Sequence, residues 1–449
     1  MSDFMTKIGE VADVFDGPHA TPKKTEQGPY FLSISSLENG ALDLSKSAHL
    51  SEKDFVKWTK RVTPTAGDVL FSYETRLGDA AFMPPNVKAC LGRRMGLLRP
   101  NTEKVIPEYL LYAYLSPAFQ EIINARTIHG ATVNRIALKE LPDFPIRIPP
   151  KDEQEQVVNI LNSIDSKLEL NRQINQTLEQ IAQAIFKSWF VDFEPVKAKI
   201  QVKQNGQDPE RAAMRAISGK TDEELDALSA EQHQQLTTTA ALFPDELEES
   251  DLGEIPKGWS VKTFGDVSQC FDSKRIPLSK KKREEKKPGN IPYYGATSIM
   301  DYVNEWIFDD IYLLLGEDGS VIKEDGTPFV QYIWGKTWVN NHAHVLQGKN
   351  GVSTEQLMLF IQKQNITAYI TGAVQLKLNQ GNMNRIPFID AGEKLNDVFY
   401  SFIKPSYEKI RETIEENQSL ASVRDLLLPK LLSGEITIGE VQFTTEAVA

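Results

Sequence analysis

Cationic side chains give this chain its most concentrated chemistry. Lys274-Arg275, Lys280-Lys281-Lys282-Arg283 and Lys286-Lys287 form its most basic stretch. Lys and Arg donate to phosphate oxygens and to base edges, which is what nucleic-acid contact requires. Glu284 and Glu285 interrupt the run, so a solvated charge run is the competing reading. Smaller sets of the same donors are Arg76 in the loop Glu74-Thr75-Arg76-Leu77-Gly78, Arg93-Arg94 after Gly92, Asn134-Arg135, and Gln375 with Lys377. The Arg residues are equally open to surface ion pairs. Asn340, Asn341 and His342 combine donors and acceptors as base reading needs, but a turn or core role would use them as well.

Catalytic readings find less support. Gly219-Lys220-Thr221 ends like a phosphate-binding loop, yet Met214 stands where its first Gly is required and no strand is expected before it. His342-x-His344 needs further ligands to hold a metal, and no Cys/His cluster supplies them. The chain has no Asn/Asp-Pro-Pro-Tyr/Phe stretch and no Gly-x-Gly turn opening a helix, so methyl transfer by this chain alone is not expected. Pro244-Asp245 with Glu284-Glu285-Lys286 is formally compatible with a metal-dependent DNA endonuclease, but such short matches are common in charged loops. The expectation is a non-catalytic chain with no cofactor of its own.

What must position these residues? The chain has 449 residues, 41% of them hydrophobic and 25% charged, which suits two or three domains of an ordinary soluble protein. It has no run of 18 apolar residues, and its start lacks a signal-peptide stretch. Cys90 and Cys270 are too few for a disulfide framework, so a cytoplasmic location without membrane contact is expected. The net charge of −12 is unevenly spread. Residues 201–256 hold 13 Asp/Glu against 4 Lys/Arg, whereas 1–150 carry 18 Lys/Arg against 17 acids and 257–392 carry 16 against 14. The two large regions are slightly basic, which permits nucleic-acid binding.

The chain also repeats itself. Gly130-Ala131 and Gly372-Ala373, Pro145-Ile146 and Pro387-Phe388, and Asn175-Gln176-Thr177-Leu178 and Asn417-Gln418-Ser419-Leu420 are all 242 positions apart. A looser echo joins Ile8-Gly9-Glu10-Val11 to Phe264-Gly265-Asp266-Val267 at an offset of 256, so the variable parts differ by insertions. Each copy has short apolar runs, a Gly-Ala turn, a Pro-punctuated strand and then a helical pattern. Gln154 to Phe190 contains no Gly or Pro and places Val157, Leu161, Ile164, Leu168, Leu178, Ile185 and Trp189 on one stripe. Those 37 residues would span about 55 Å. The second copy offers Phe399, Ile403, Ile410, Leu420, Leu427 and Leu431. Asn171, Asn175 and Asn417 interrupt the stripes, either as buried register-setting groups or as solvated edge residues. Pro405 should make the second helix kink or begin there.

Two helices with single apolar stripes are expected to pack on each other, and connectivity favours an antiparallel pair. The expected organisation is α/β (α+β): two globular domains of like fold, 1–150 and 257–392, separated by two long antiparallel coiled-coil helices, 151–194 and 393–436, in a pseudo-two-fold arrangement. Residues 195–256 read as an acidic insert, either a docking surface or a solvated linker, and 437–449 as a tail.

Three further stretches carry a resemblance. Trp189-Phe190-Val191-Asp192-Phe193-Glu194-Pro195, Leu252-Gly253-Glu254-Ile255-Pro256-Lys257-Gly258-Trp259 and Leu428-Pro429-Lys430-Leu431-Leu432-Ser433-Gly434-Glu435-Ile436 resemble the specificity subunits of Type I restriction–modification systems. So does Pro292-Tyr293-Tyr294-Gly295-Ala296-Thr297 followed by Leu315-Gly316-Glu317-Asp318-Gly319. The resemblance implies that each globular region is a target-recognition domain reading one half of a bipartite, asymmetric double-stranded DNA site, with the helices fixing the gap. It implies two modification subunits, carrying S-adenosylmethionine and methylating adenine, and a motor–nuclease restriction subunit as partners. The family places a basic Lys-Arg-x-Pro loop at Lys274-Arg275-Ile276-Pro277, and the equivalent loop of the first region would offer His19, Thr21, Lys23 and Lys24. A coiled-coil scaffold binding only protein is the remaining alternative.

Overall fold

A computed structural model of the chain describes residues 4–38, 40–130, 132–372 and 375–436. Ala131 and Ala373 of the repeated Gly-Ala turn, and the expected tail 437–449, lie outside them. The chain forms two compact units. One comprises residues 1–172 with 414–449, the other 173–413.

In the first unit β1 (Met5–Lys7) pairs with β9 (Pro145–Arg147). The main sheet is built from β2 (Ala12–Asp16), β5 (Val69–Ser72), β6 (Ala80–Phe82) and β8 (Met95–Pro100), in the order β2-β8-β5-β6. A second sheet has β3 (Lys24–Phe31) between β4 (Ala48–Leu50) and β7 (Ala89–Cys90), the β3–β7 pairing being parallel. Val69–Ser72 is buried throughout because the sheet is covered on both faces, so this strand reads as a continuous apolar run, not an alternating one. Helix α1 (Pro107–Leu115) covers one face, contributing Tyr109, Leu110 and Tyr114 to a core with Phe71, Phe119 and Phe144.

The first long helix, α2, runs unbroken from Lys151 to Phe190, 40 residues or about 60 Å. It ends in a tight left-handed step at Phe193 (φ +55°), after which α3 (Glu194–Lys203) begins. Residues 195–256 are folded and not a solvated linker. Helices α4 (Pro209–Ser218), α5 (Asp222–Asp226) and α6 (Ala230–Ala240), which follow α3, bury a small core of Ala213, Met214, Leu225, Leu236 and Ala240. The hairpin of β10 (Leu247–Ser250) and β11 (Gly253–Pro256) follows.

The second globular region repeats the frame of the first. Strand β12 (Ser260–Thr263) pairs with β21 (Pro387–Asp390), as β1 does with β9. The main sheet of β13 (Ser268–Cys270), β17 (Tyr312–Gly316), β18 (Val330–Ile333) and β20 (Ala343–Gly348) has the order β13-β20-β17-β18. Its companion contains β14 (Ile291–Tyr294), β15 (Ile299–Val303), β16 (Phe308–Asp309) and β19 (Lys336–Val339), ordered β15-β14-β19-β16, again with one parallel pairing, β14–β19. Helix α7 (Thr354–Ile361) takes the place of α1.

The second long helix, α8, runs from Glu393 to Ser433. It neither begins nor breaks at Pro405. That residue is exposed, so the Ser401 carbonyl left without its helical partner faces water, where the loss costs least. Within each unit α2 and α8 pack in opposite directions. In the first, Asp165 pairs with Arg424 at 3.2 Å and Lys167 with Glu416 at 3.3 Å, while Val157 and Leu161 share a core with Leu431 and Leu432. In the second, Phe186 and Phe190 meet Phe399 with ring centroids 5.9 and 4.9 Å apart. Among the described residues no helix is long and apolar enough to cross a membrane.

Candidate nucleic-acid interface

Residues adjacent in sequence part company in space. Lys274 is exposed, its ammonium 5.0 Å from the centre of the Phe271 ring. Arg275 turns inward: its side chain is 11% exposed and donates to Glu317 Oε2 at 2.7 Å and the Ala343 carbonyl at 2.6 Å, with Asp272 Oδ2 at 3.2 Å. Arg275 is thus a structural ion-pair residue and not a free DNA-facing donor. The same sorting runs along the basic helix Lys280–Glu284. Lys280, Lys281 and Lys282 are exposed, whereas Arg283 is turned onto Asp301 at 2.9 Å and the Tyr293 ring. Lys286 and Lys287 are engaged by Glu305, Glu284 and Asp301.

In the first unit Lys23, Lys24, Thr21 and Arg93 are exposed. His19 Nε2 lies 3.4 Å from Asp16, and its Nδ1 is 3.5 Å from the Tyr73 hydroxyl. Arg76 pairs with Asp79 at 2.5 Å, and Arg94 with Glu74 at 3.2 Å. Arg94 is held in the left-handed region (φ +72°). Arg135 is exposed beside Asn134, whose backbone accepts from Thr75 N at 3.2 Å.

These positions fall into matched places of the two frames. Met95 faces Ser72 across the first sheet as Ala343 faces Gly316 across the second. Tyr73 N donates to the Arg94 carbonyl at 3.1 Å, and Glu317 N to that of His342 at 2.8 Å. Glu74 bridges Arg135, and Asp318 bridges Lys377. The repeated turn therefore delivers Arg135 in one unit and Lys377 in the other beside the same strand end. Gln375 reaches Asp318 at 3.0 Å. Asn340 is buried and accepts from His342 N at 2.8 Å, a turn role.

The residues absent from the sequence-based candidates are acidic or buried. Asp16 ends β2 and Asp272 lies two residues past the end of β13, and their separation of 256 was the available signal, since it equals the offset of the Ile8 and Phe264 segments. Asp272 is held below the usual carboxylate range: burial pushes it up, but the His344 hydrogen bond and charge, the Val345 amide and Arg275 outweigh that. Cys270, Asp272 and His344 bring S, O and N atoms within 4.8 Å of one another, a donor set that suits a divalent metal. Burial pushes the Cys270 thiol up to about 12, and the Arg275 guanidinium already supplies the cation beside Asp272.

The helix stripes are largely as expected. Val157, Leu161, Leu168, Trp189, Ile403, Ile410 and Leu431 are buried, while Ile164, Leu178, Ile185, Leu420 and Leu427 are half-buried. Ala182, Phe186, Tyr407 and Thr413 belong to the same seam. Asn171 is fully buried and donates to Glu416 at 2.7 Å and Asn417 at 2.9 Å, so it is a seam residue. Asn175 accepts from Thr413. The Trp189–Pro195 stretch makes an aromatic cluster, with Trp189 edge-on to Phe243 at 5.1 Å and Phe193 edge-on to Trp259 at 5.6 Å.

The family described as "Type I restriction modification DNA specificity domain" matches residues 1–180 and 256–389, the two globular frames with the first helix. The chain belongs to that family. It is a specificity subunit, and such subunits are not themselves the catalytic part of the enzyme. The HindI specificity subunit of Haemophilus influenzae is 32% identical over 412 residues, covering 82% of this chain and 86% of that protein. The MjaIX specificity subunit of Methanocaldococcus jannaschii is 24% identical over 448 residues, covering 95% and 88%. The crystal structure of the S subunit from M. genitalium superposes with a TM-score of 0.53 at 16% identity, over 96% of this chain and 97% of that one, and so shares its fold.

Proposed function

We propose that each unit reads one half of a bipartite, asymmetric duplex site, and that the long helices dock two modification subunits. The observation that carries this reading is the single frame used twice with different polar groups at matched positions. Arg94 and Arg135 stand in the first unit where His342 and Lys377 stand in the second. A shared frame gives the same approach to the duplex; unlike side chains at its rim select unlike bases. The exposed cations Lys23, Lys24, Arg93, Arg135, Lys274, Lys280, Lys281, Lys282 and Lys377 supply the contacts. Leu170, Ile181, Val423 and Leu426, 42–62% exposed on the outer faces of the helices, support protein docking there.

In this reading S-adenosylmethionine sits on the modification subunits, which methylate adenine, and a restriction motor–nuclease joins for cleavage in the cytoplasm. The test is to assemble the chain with its modification subunits and S-adenosylmethionine and to map methylated adenines. A split, non-palindromic motif with a fixed gap is expected. A continuous or palindromic motif overturns the reading.

A further inference from the structure

We propose that His344 is a positioning residue for the second unit, clamping together the two segments that present Lys274 and Lys377. The inference rests on reading that surface as DNA-facing. His344 lies on β20 with its side chain 1% exposed. Its Nδ1 meets Asp272 Oδ2 at 2.5 Å, and its Nε2 meets the Leu378 carbonyl at 2.7 Å. Both partners are acceptors, so the ring donates from both nitrogens.

Each bond holds a different segment. Asp272 opens the turn Asp272–Lys274 and also accepts from Val345 N at 2.9 Å. Leu378 follows Lys377 in the repeated turn, where Leu378 N donates to the Glu317 carbonyl at 2.9 Å. Glu317 links the two sides, with its carboxylate 2.7 Å from Arg275 and 3.6 Å from Lys377. The Arg275 guanidinium and the His344 ring thus stand against two carboxylates, Asp272 and Glu317. Pairing of this kind is what allows charges to remain in a buried place. A rigid ring with a donor on each side fixes the separation of the segments it joins, and base reading fails when contact groups drift by about 1 Å.

The first unit has Gly96 at this position, so the clamp acts on one half-site only. That asymmetry makes the test. His344→Asn keeps a donor near Nδ1 and loses Leu378; His344→Gln keeps one near Nε2 and loses Asp272. Each variant is assembled with the modification subunits, and methylation is measured on DNA libraries degenerate in either half-site, beside thermal unfolding of the complex. Both variants should lose about tenfold in base discrimination, in one half-site only, and in the same half as Lys377→Ala. Should either variant fail to fold, Asp272→Asn keeps an oxygen toward the ring while removing the charge, and should weaken discrimination in that same half. Unchanged discrimination, or equal loss in both halves, overturns the clamp. A wild-type complex with no split motif would instead sink the DNA-reading proposal on which the clamp rests.

Discussion

Asp16 and Asp272 occupy the same place in two copies of one frame, yet they are neutralised differently. Asp16 takes Arg61 at 2.6 Å, with the Arg61 side chain 58% exposed, and His19 at 3.4 Å. Asp272 takes Arg275 and His344 from within, with side-chain exposures of 11% and 1%. The first arrangement is a surface pairing that solvent can replace. The second is a closed ionic cluster whose members depend on one another. One fold therefore supports two ways of fixing a surface loop, from outside or from beneath, and the cost of disturbing each differs accordingly.

The largest expected effect follows from this difference. Arg275→Ala leaves Asp272 and Glu317 in a mostly buried site with His344 beside both and the exposed Lys377 near Glu317. Breaking one side of a buried pair costs about 3–5 kcal/mol. Arg61→Ala, at a half-exposed pair, should cost about 0–1 kcal/mol. Paired chemical denaturation of the two variants checks the contrast, and equal losses would erase it.

A second way to break the comparison is to close the gap between the frames. A Cβ built at Gly96 would lie 2.5 Å from the Phe71 ring and 3.0 Å from the Phe15 carbonyl. The first unit has thus filled with an aromatic ring the room that the second gives to His344. Gly96→Ala should destabilise by about 1–3 kcal/mol through overpacking, read as a drop in the denaturation midpoint. A stabilised or neutral variant would show that Phe71 can move aside.

Acid should separate the units as well. Asp272 has a folded-state pKa below its unfolded value. Its contribution is therefore present above the ordinary carboxylate value near 4 and is lost as the pH falls through the lower folded value. Amide exchange followed from neutral to acid pH should show β13 and the 272–275 turn opening ahead of their counterparts at 12–19. In the Asp272→Asn variant that early opening should no longer depend on pH in this window.

Much of this frame was legible in the sequence, for physical reasons. The helices could be read because an apolar stripe without Gly or Pro over residues 154–190 has few other ways to be buried. The duplication could be read because Gly and Pro mark turns whose geometry tolerates few substitutes. The fold of the insert could not: its core is five small or isolated apolar residues scattered among acids, with no stripe to find. Nor could Pro405 be placed, since its effect depends on which way the helix faces. The site was half legible. Lys274 and Arg275 are neighbours of one charge type, and only partners 42 and 68 residues from Arg275 decide that one points out and the other in.

That division yields the smallest prediction and the sharpest. Removing an exposed phosphate contact lowers the slope of log affinity against log salt by about 0.9 and leaves sequence preference and folding alone. Lys274→Ala should do this, and Lys280→Ala, Lys281→Ala and Lys282→Ala should do it separately and additively. Arg275→Ala should instead change stability, and change affinity only as far as its loop is displaced. The measurement is DNA affinity of the assembled complex over a salt series, with unfolding followed in parallel. If Lys274→Ala leaves the slope untouched, the exposed end of this loop lies away from the phosphates. If Arg275→Ala lowers the slope at unchanged stability, the guanidinium must leave Glu317 for DNA on binding, and the ion cluster beneath the loop would be a resting state.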